Sequence, residues 1–229
     1  MSSMSDRSLG ADGSDGKKGS GRKPRADGVE SRRAILHAAA QLATTRGLEG
    51  LSIGELAQHI GMSKSGLYAH FKSKEELELA TIETAAEIFD RNVLGPARES
   101  PGGLQRVLAL SEAFLGHLER RVFPGGCFFA NVSMQLAARP GRSRDRVVGL
   151  LTQWLQLFTS ALTEAVAAGE LPQDTDIDQT AFELNAMLVR ANFNWILTGE
   201  PGVLDQARAG IRHVIERLTG QKGYETRPS

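Results

Sequence analysis

The segment LSIGELAQHIGMSKSGLYAHFKSKEEL, residues 51–77, carries the clearest structural pattern in the chain. Ser52 precedes apolar residues at helical spacing and Glu55 follows three positions later, which is the pattern of an N-cap with a capping box. Gly61 can end this helix in a left-handed conformation, and Ser63 is placed to cap the next helix. Two short helices joined by a tight turn that contains glycine predict a helix-turn-helix.

The second of these helices, which we predict to run through Phe71, carries side chains suited to contact with duplex DNA. In helix-turn-helix proteins this helix lies in the major groove with its N-terminal residues against the bases. Lys64 can donate to guanine O6 and N7, and Gly66 would let the backbone come close to the duplex. Lys72 and Lys74 follow where the helix ends and can meet phosphates.

This segment resembles the DNA-binding region of the TetR family of bacterial transcription regulators, over about residues 31–80. A family-like L-[ST]-x-x-x-L-A start, LSIGELA, is followed by the residues that carry the rest of the resemblance: Gly61, Leu67, Tyr68, His70, Phe71, Lys74 and Leu77. The resemblance implies a DNA-binding head and a C-terminal helical body. It also implies that the body binds a small effector and dimerises through its last two long helices.

The pattern and the resemblance together predict a set of DNA contacts. Arg32 and Arg33 lie in the first turn of a helix, where the helix dipole disfavours cations, so contact with phosphate is the better explanation of their position. Gly54 lacks the side chain with which some family members contact DNA, so base readout is expected to depend on the second helix. The predicted contacts are Arg32, Arg33, Ser52, Ser63, Lys64, Ser65, Gly66, Tyr68, His70, Lys72 and Lys74.

Charge is distributed unevenly along the 229 residues although the net charge is zero. Residues 1–74 hold 12 Lys and Arg against 7 Asp and Glu, whereas the remainder holds 15 against 20. A basic front and an acidic back fit a nucleic-acid reader joined to a domain with another task. We predict a flexible basic arm (1–28), a DNA-binding head (29–74), an effector-binding and dimerisation body (75–220) and a tail (221–229).

The sequence predicts an all-α protein, since no strand pattern or internal repeat stands out. Length and apolar content allow one small and one medium domain. Outside the helix-turn-helix, the expected helices are Glu30–Arg46, 74–94 ended by Gly95-Pro96, 101–122, 127–138, 142–168, 178–198 and 203–218.

The helix predicted over residues 178–198 is apolar on more than one side, so it needs cover on more than one side. A two-fold homodimer would supply the second cover, and the resemblance points the same way. The alternative is that both final helices are simply core. The predicted interface consists of Phe182, Val189, Phe193, Leu204, Ile211, Val214 and Leu218.

Most of the aromatic residues lie between residues 101 and 199, with polar residues among them. Aromatics at helical spacing are usually core, but an apolar pocket with a few convergent polar groups is also what a small-molecule site needs. With the resemblance, we predict a pocket for a largely apolar effector. It would be lined by Phe114, His117, Phe128, Asn131, Gln135, Trp154, Phe158, Asn192 and Trp195.

Cys127 is the only cysteine, which excludes a disulfide within the chain and favours a cytoplasmic location. No run of about 18 apolar residues predicts a membrane span, and no motif predicts a metal or another cofactor. Cys127 follows two glycines and leaves two alternatives open: a redox-responsive regulator, or an enzyme with a cysteine nucleophile. A purely architectural DNA-binding protein without an effector is a third alternative.

Overall fold

The structure is a computed structural model that describes residues 24–220, with side chains described from Gly28 onward. Within this range the chain is helical and contains no strand, which confirms the all-α prediction. The helices are α1 (Pro24–Arg46), α2 (Ile53–His59), α3 (Lys64–Tyr68), α4 (Lys74–Phe89), α5 (Gly95–Arg98), α6 (Gly103–Glu119), α7 (Phe128–Leu136), α8 (Arg142–Ala167), α9 (Ile177–Thr198) and α10 (Gly202–Thr219).

The predicted caps shape the helix-turn-helix. Ser52 Oγ accepts a hydrogen bond from the Glu55 backbone N–H at 3.1 Å and caps α2, and Ser63 Oγ accepts from the Gly66 N–H at 3.1 Å and caps α3. Gly61 has φ +69° in the turn between the helices. Each cap satisfies a donor that the first helical turn leaves free.

Helix α3 ends at Tyr68, so the prediction that it runs through Phe71 is wrong. The chain turns at residues 69–73 because Phe71 is completely buried in the head core and Ser73 is the N-cap of α4. Ser73 Oγ accepts from the Glu76 N–H at 3.1 Å. This early end places Tyr68 at the last position of α3, with its ring exposed.

Helix α1 begins at Pro24, six residues before the predicted start. Proline fits the first turn of a helix because it lacks only a donor that the turn would leave unused. Residues 1–23 and 221–229 lie outside the described residues, as do most of the predicted basic arm and all of the predicted tail.

Gly95-Pro96 does not end the fourth helix, contrary to the sequence prediction. A π-helical turn over Asp90–Leu94 follows α4, and α5 continues from it. The Gly95 N–H donates to the Asp90 carbonyl, which shifts the hydrogen-bond ladder by one residue. Pro96 consequently falls in the first turn of α5, where its missing N–H is tolerated.

The body consists of α6–α10, and α8 packs against α4. Phe89 of α4 meets Phe114 of α6, Phe129 of α7 and Trp154 of α8 in edge-to-face contacts, with ring centroids 5.4–6.3 Å apart. Helix α10 buries Leu204, among others, against α9 and α6. No helix between residues 24 and 220 is long and apolar enough to cross a bilayer.

Candidate DNA-binding face and effector cavity

Helix α3 presents a small exposed polar surface. Lys64, Ser65 and Tyr68 are exposed, and 59% of the Tyr68 surface is accessible. Among the described residues, the side chains of Lys64 and Tyr68 have no hydrogen-bond or ion-pair partner. A Cβ added to Gly54 would lie 3.0 Å from Lys64 Cε, so Gly54 leaves room for the lysine stem against α2. A larger residue at position 54 would therefore displace the Lys64 side chain from its present position.

Arg32 and Lys74, two cations close to α3, have contacts within the chain that the side chain of Lys64 lacks. The Arg32 guanidinium lies 4.7 Å from the Phe71 ring centroid and 3.6 Å from Glu76 of α4. Lys74 Nζ donates to the Glu49 carbonyl at 2.7 Å, and the Lys72 backbone N–H donates to Glu76 at 2.9 Å. Glu76 therefore joins α1 to the turn before α4. Arg32 and Arg33 are the ninth and tenth residues of α1, so the prediction that they lie in the first turn of a helix is wrong.

Several predicted DNA contacts have structural partners. The hydroxyls of Ser52 and Ser63 cap helices, the Gly66 N–H is used by Ser63, and half-buried His70 packs beside Phe71 with ring centroids 6.4 Å apart. Arg33 and the Lys72 side chain are exposed. The side chains most available to a duplex are therefore Lys64, Ser65, Tyr68, Lys72 and Arg33, whereas Arg32 and Lys74 would act from fixed positions.

A cavity of about 1000 Å³ lies in the body between α4, α6, α7, α8 and α9. Phe114 and Trp154, two of the residues proposed for the effector pocket, line this cavity, and Trp154 Nε1 donates to Asn185 Oδ1 at 2.9 Å. The apolar lining also includes residues that the sequence pattern did not single out: Ala86, Phe89, Leu94, Phe129, Ala130, Met134, Val148, Leu150, Leu151, Leu155 and Leu157. Their helical spacing resembles that of ordinary core residues, so only the tertiary packing shows the space between them.

Seven predicted pocket residues do not line the cavity: His117, Phe128, Asn131, Gln135, Phe158, Asn192 and Trp195. Phe128 and Phe158 fill the core. Asn192 Oδ1 accepts from the Cys127 N–H at 2.8 Å, and Trp195 Nε1 donates to the Leu118 carbonyl at 3.2 Å. Asn192 Oδ1 and Trp195 Nε1 thus satisfy buried backbone groups, whereas Asn192 Nδ2 is buried without a hydrogen-bond partner among the described residues.

Asn131 and Gln135 of α7 connect the body to the head. Gln135 Oε1 accepts from the Leu48 N–H at 3.0 Å, and Asn131 Nδ2 donates to the Thr44 carbonyl at 3.3 Å and also to the Gly125 carbonyl. Thr44 in turn accepts from the Gly125 N–H at 3.1 Å. The opposite side of α7, which includes Phe129, Ala130, Ser133 and Met134, lines the cavity. Helix α7 thus contacts both the head and the cavity, which no pattern in the sequence indicated.

His117 is buried between the Phe89 and Phe123 rings, and neither of its nitrogens has a partner among the described residues. Burial, followed by the charge of Arg120, lowers the pKa of His117 from 6.5 to about 4. Between about pH 6.5 and about pH 4, His117 binds a proton in the unfolded chain but not in the folded chain. Acidification therefore weakens the fold, and the loss runs from about pH 6.5 down to about pH 4.

We expect the free energy of unfolding to fall by about 2 kcal/mol between about pH 6.5 and about pH 5 on account of His117. Urea unfolding at the two pH values measures this loss. The His117→Leu variant should lose less stability over the same interval, whereas a variant at exposed His59, His59→Gln, should behave as the wild type. An equal loss in His117→Leu would show that other groups cause the acid sensitivity.

Cys127 lines the cavity, but its side chain is almost completely buried. Burial raises the pKa of the thiol to about 11, against the opposing effect of backbone hydrogen bonds from Ala130 and Phe129. At neutral pH the sulfur is thus a thiol rather than the nucleophilic thiolate. A cysteine nucleophile needs a base within hydrogen-bond reach, and His117, ten residues before Cys127, has no hydrogen-bond partner among the described residues. These properties disfavour both cysteine-based alternatives.

The predicted dimer residues divide into two groups. Phe182, Val189 and Phe193 are exposed on α9. Leu204, Ile211 and Val214 are instead buried within the chain, and Leu218 is half-buried, because the apolar side of α10 packs on α9 and α6. The prediction of a surface seam on α10 is therefore wrong for the three buried residues.

An exposed second helix on a helix-turn-helix head, joined to a helical body that contains a cavity, defines a class: the helix-turn-helix transcriptional regulators. The chain belongs to the TetR family within that class. The family model described as "Bacterial regulatory proteins, tetR family" matches residues 35–81. The model described as "Tetracyclin repressor-like, C-terminal domain" matches residues 103–211.

Individual relatives agree with this assignment. The chain is 27% identical over 186 residues to the HTH-type transcriptional repressor BepR of Brucella suis, a match that covers 79% of this chain and 87% of BepR. A TetR regulator from Chloroflexus aurantiacus is 25% identical with a TM-score of 0.77, covering 86% and 98% of the two chains. AibR, solved with isovaleryl coenzyme A and operator DNA, is 24% identical with a TM-score of 0.64, covering 82% and 97%. The chain is thus a DNA-binding transcriptional regulator.

Proposed function

We propose that this regulator is a cytoplasmic repressor that binds a near-palindromic operator as a homodimer and responds to a largely apolar small molecule. The observation that carries the proposal is α7, which lines the cavity on one side and hydrogen-bonds the head on the other. A ligand that moves α7 would change how the head is held. Ligand and DNA would then affect each other's affinity by the same factor.

DNA binding would depend on α3. Lys64, at its first position, is the candidate for a base contact, while Tyr68 and the cations around Glu76 would contact phosphates. Two heads related by a two-fold axis would contact half-sites about 34–36 Å apart, or a multiple of that distance. A near-palindromic operator follows from this symmetry.

The chemistry of the effector follows from the cavity lining. Phe89, Phe114, Phe129 and Trp154 supply aromatic surface, and the leucines of α8 add aliphatic surface. Asn185 lies beside Trp154, which already uses its side-chain carbonyl, and the charged lining residues Glu83, Glu87, Asp90, Arg91 and Arg98 all come from the segment 83–98. Such a lining favours a molecule with a large apolar part. AibR, which shares this fold, was solved with isovaleryl coenzyme A and operator DNA, and BepR is named a repressor; both support a repressor that responds to a ligand.

Selection of bound duplexes from a random pool, followed by footprinting of the selected sequence, tests the DNA part of the proposal. We expect two inverted half-sites, with affinity that falls steeply as salt rises because phosphate contacts release counterions. Failure to enrich any sequence at low salt would contradict a DNA-binding role. Enrichment of a single asymmetric half-site would contradict the homodimer.

Removal of the thiol tests the redox and enzyme alternatives. We expect the Cys127→Ala variant to bind the selected operator as tightly as the wild type, and peroxide to change the binding of neither protein, because the thiol is buried and protonated. A mobility-shift titration with and without peroxide measures both effects. Peroxide sensitivity that disappears in Cys127→Ala would instead establish a redox regulator.

A further inference from the structure

Two buried polar side chains of the body carry hydrogen-bonding atoms that have no partner among the described residues: both nitrogens of His117 and Nδ2 of Asn192. Each of these residues is only 1% exposed. Glu78 Oε1 and Arg139 Nη1 also lack hydrogen bonds, but both of these atoms take part in ion pairs. Because a buried polar atom without a partner costs free energy, His117 and Asn192 indicate a partner that residues 28–220 do not supply.

Both side chains lie directly behind the wall of the effector cavity. The Phe89 ring lines the cavity and meets the His117 imidazole edge to face, with the ring centroids 5.7 Å apart. Cys127 also lines the cavity, and its N–H donates to Asn192 Oδ1 at 2.8 Å. Each set of unpartnered atoms is therefore one residue away from the space that a ligand would occupy.

We propose that His117 recognises the polar end of the effector: the Phe89 ring turns aside when the effector binds, and a neutral hydrogen-bonding group of the effector reaches the imidazole. This inference rests on the ligand-responsive regulator of the proposed function and names the class of its ligand. The ligand is an apolar molecule that carries a hydroxyl or a carbonyl group. A hydroxyl can donate to or accept from the imidazole, and a carbonyl accepts from its N–H.

The Phe89 ring is the part of the wall that opens in this proposal. Its contacts with Phe114, Phe129 and Trp154 are edge-to-face ring contacts, and those three residues line the same cavity. A change of side-chain rotamer at Phe89 moves the ring without moving the backbone, and the cavity of about 1000 Å³ provides room for it. The His117 nitrogens then face the ligand.

The surroundings of His117 select a neutral group rather than a charged one. The Phe89 and Phe123 rings enclose the imidazole, and burial keeps the pKa of His117 at about 4, so the side chain is neutral at pH 7. The charge that acts on it comes from Arg120, which is exposed and donates to the Asn92 carbonyl at 3.4 Å. An ionised ligand group would lose its hydration here without gaining an opposite charge.

Three naphthalene derivatives provide matched probes for this site. In 2-methylnaphthalene a methyl group replaces the hydroxyl of 2-naphthol, and 2-naphthoate carries a charged group on the same rings. Isothermal titration calorimetry at pH 7 measures the affinity of the full chain for each probe. The informative quantity is the hydroxyl ratio, the affinity for 2-naphthol divided by that for 2-methylnaphthalene, because the hydroxyl loses the same hydration in every variant.

We expect the hydroxyl ratio to fall by about tenfold in His117→Leu, which is what loss of one hydrogen bond to a buried group amounts to. The variant should fold, because it replaces an unpartnered polar group by an apolar one, and thermal unfolding checks this. His117→Gln keeps a donor and an acceptor and should retain most of the wild-type ratio. His37→Leu, at an exposed histidine of α1, is the matched control and should leave the ratio unchanged.

Phe89→Leu tests the moving ring, because it takes the ring away from His117 and keeps an apolar side chain in the wall. We expect its hydroxyl ratio to equal or exceed that of the wild type. A ratio that falls in Phe89→Leu as far as in His117→Leu would contradict a ring that blocks the imidazole.

The remaining outcomes separate this inference from the proposed function. An equal hydroxyl ratio in wild type and His117→Leu would show that the ligand does not reach His117, whose partner would then be a buried water, while the cavity would still bind ligands. Tighter binding of 2-naphthoate than of 2-naphthol would overturn the neutral class. If no probe bound the wild type, the inference would fail together with the effector cavity, and DNA selection would still test the head.

Discussion

Replacing Lys64 with alanine is expected to weaken binding to the preferred duplex by roughly 5- to 150-fold, or about 1–3 kcal/mol, and to relax the base preference at one step of each half-site. Lys64 is exposed at the first position of α3 and its ammonium has no partner among the described residues. Its stem lies beside Gly54, which leaves space for it. The charge is therefore available to guanine without the loss of an existing contact.

Selection of duplexes from a random pool, repeated with the Lys64→Ala protein, measures the change in base preference, and titration of matched and mismatched duplexes measures its size. Lys72→Ala is the control, because a lysine that contacts phosphate should weaken binding to all sequences alike and lower the salt slope by about one. If Lys64→Ala weakened every sequence equally, Lys64 would be a phosphate contact and the base reader would have to be sought at Ser65 or Tyr68.

Removal of the two polar contacts of α7 is expected to uncouple ligand from DNA. We expect Asn131→Leu combined with Gln135→Met to reduce the effect of an effector on operator affinity from the usual 5- to 150-fold range to about one. The variant removes the acceptor of the Leu48 N–H and the donor to the Thr44 carbonyl while keeping similar side-chain volumes. Neither residue lines the cavity, so ligand affinity itself should be retained.

The measurement is the operator affinity with and without a saturating effector found by screening, together with the affinity of that effector for the free protein. The buried Leu48 N–H that the variant leaves unpaired should also lower the free energy of unfolding by about 1–3 kcal/mol. Gln156→Met is the control, because Gln156 is an exposed glutamine of α8 that does not line the cavity. It tests whether replacing any glutamine of the body by methionine has the same effect. Full ligand control of DNA binding in the double variant would show that the signal passes through another contact between head and body, such as that between α1 and α4.

Local interactions explain why the DNA-binding head was largely predictable. Ser52 and Ser63 cap their helices through backbone groups three residues away, and Gly61 adopts its left-handed turn without help from the rest of the chain. Such contacts join residues that are only a few positions apart in the sequence, so local sequence is enough to predict them. The end of α3 was less predictable, because the burial of Phe71 is a tertiary effect.

The body shows the opposite case, since a helical pattern marks apolar faces but not what covers each face. Asn131 and Gln135 were predicted in the pocket, yet they lie on the side of α7 that meets the head. Leu204, Ile211 and Val214 of α10 were predicted at the dimer interface but are buried within the chain. Phe182, Val189 and Phe193 of α9 are exposed.

The sequence by itself determined the all-helical fold, the helix-turn-helix and the family, because caps, turns and helical periodicity act over a few residues. Only the tertiary structure decided where the cavity lies, which α7 side chains hold the head and which face of α9 is left uncovered. Those features depend on how distant helices are rotated against one another, and that rotation is set by packing of the whole core rather than by any local pattern.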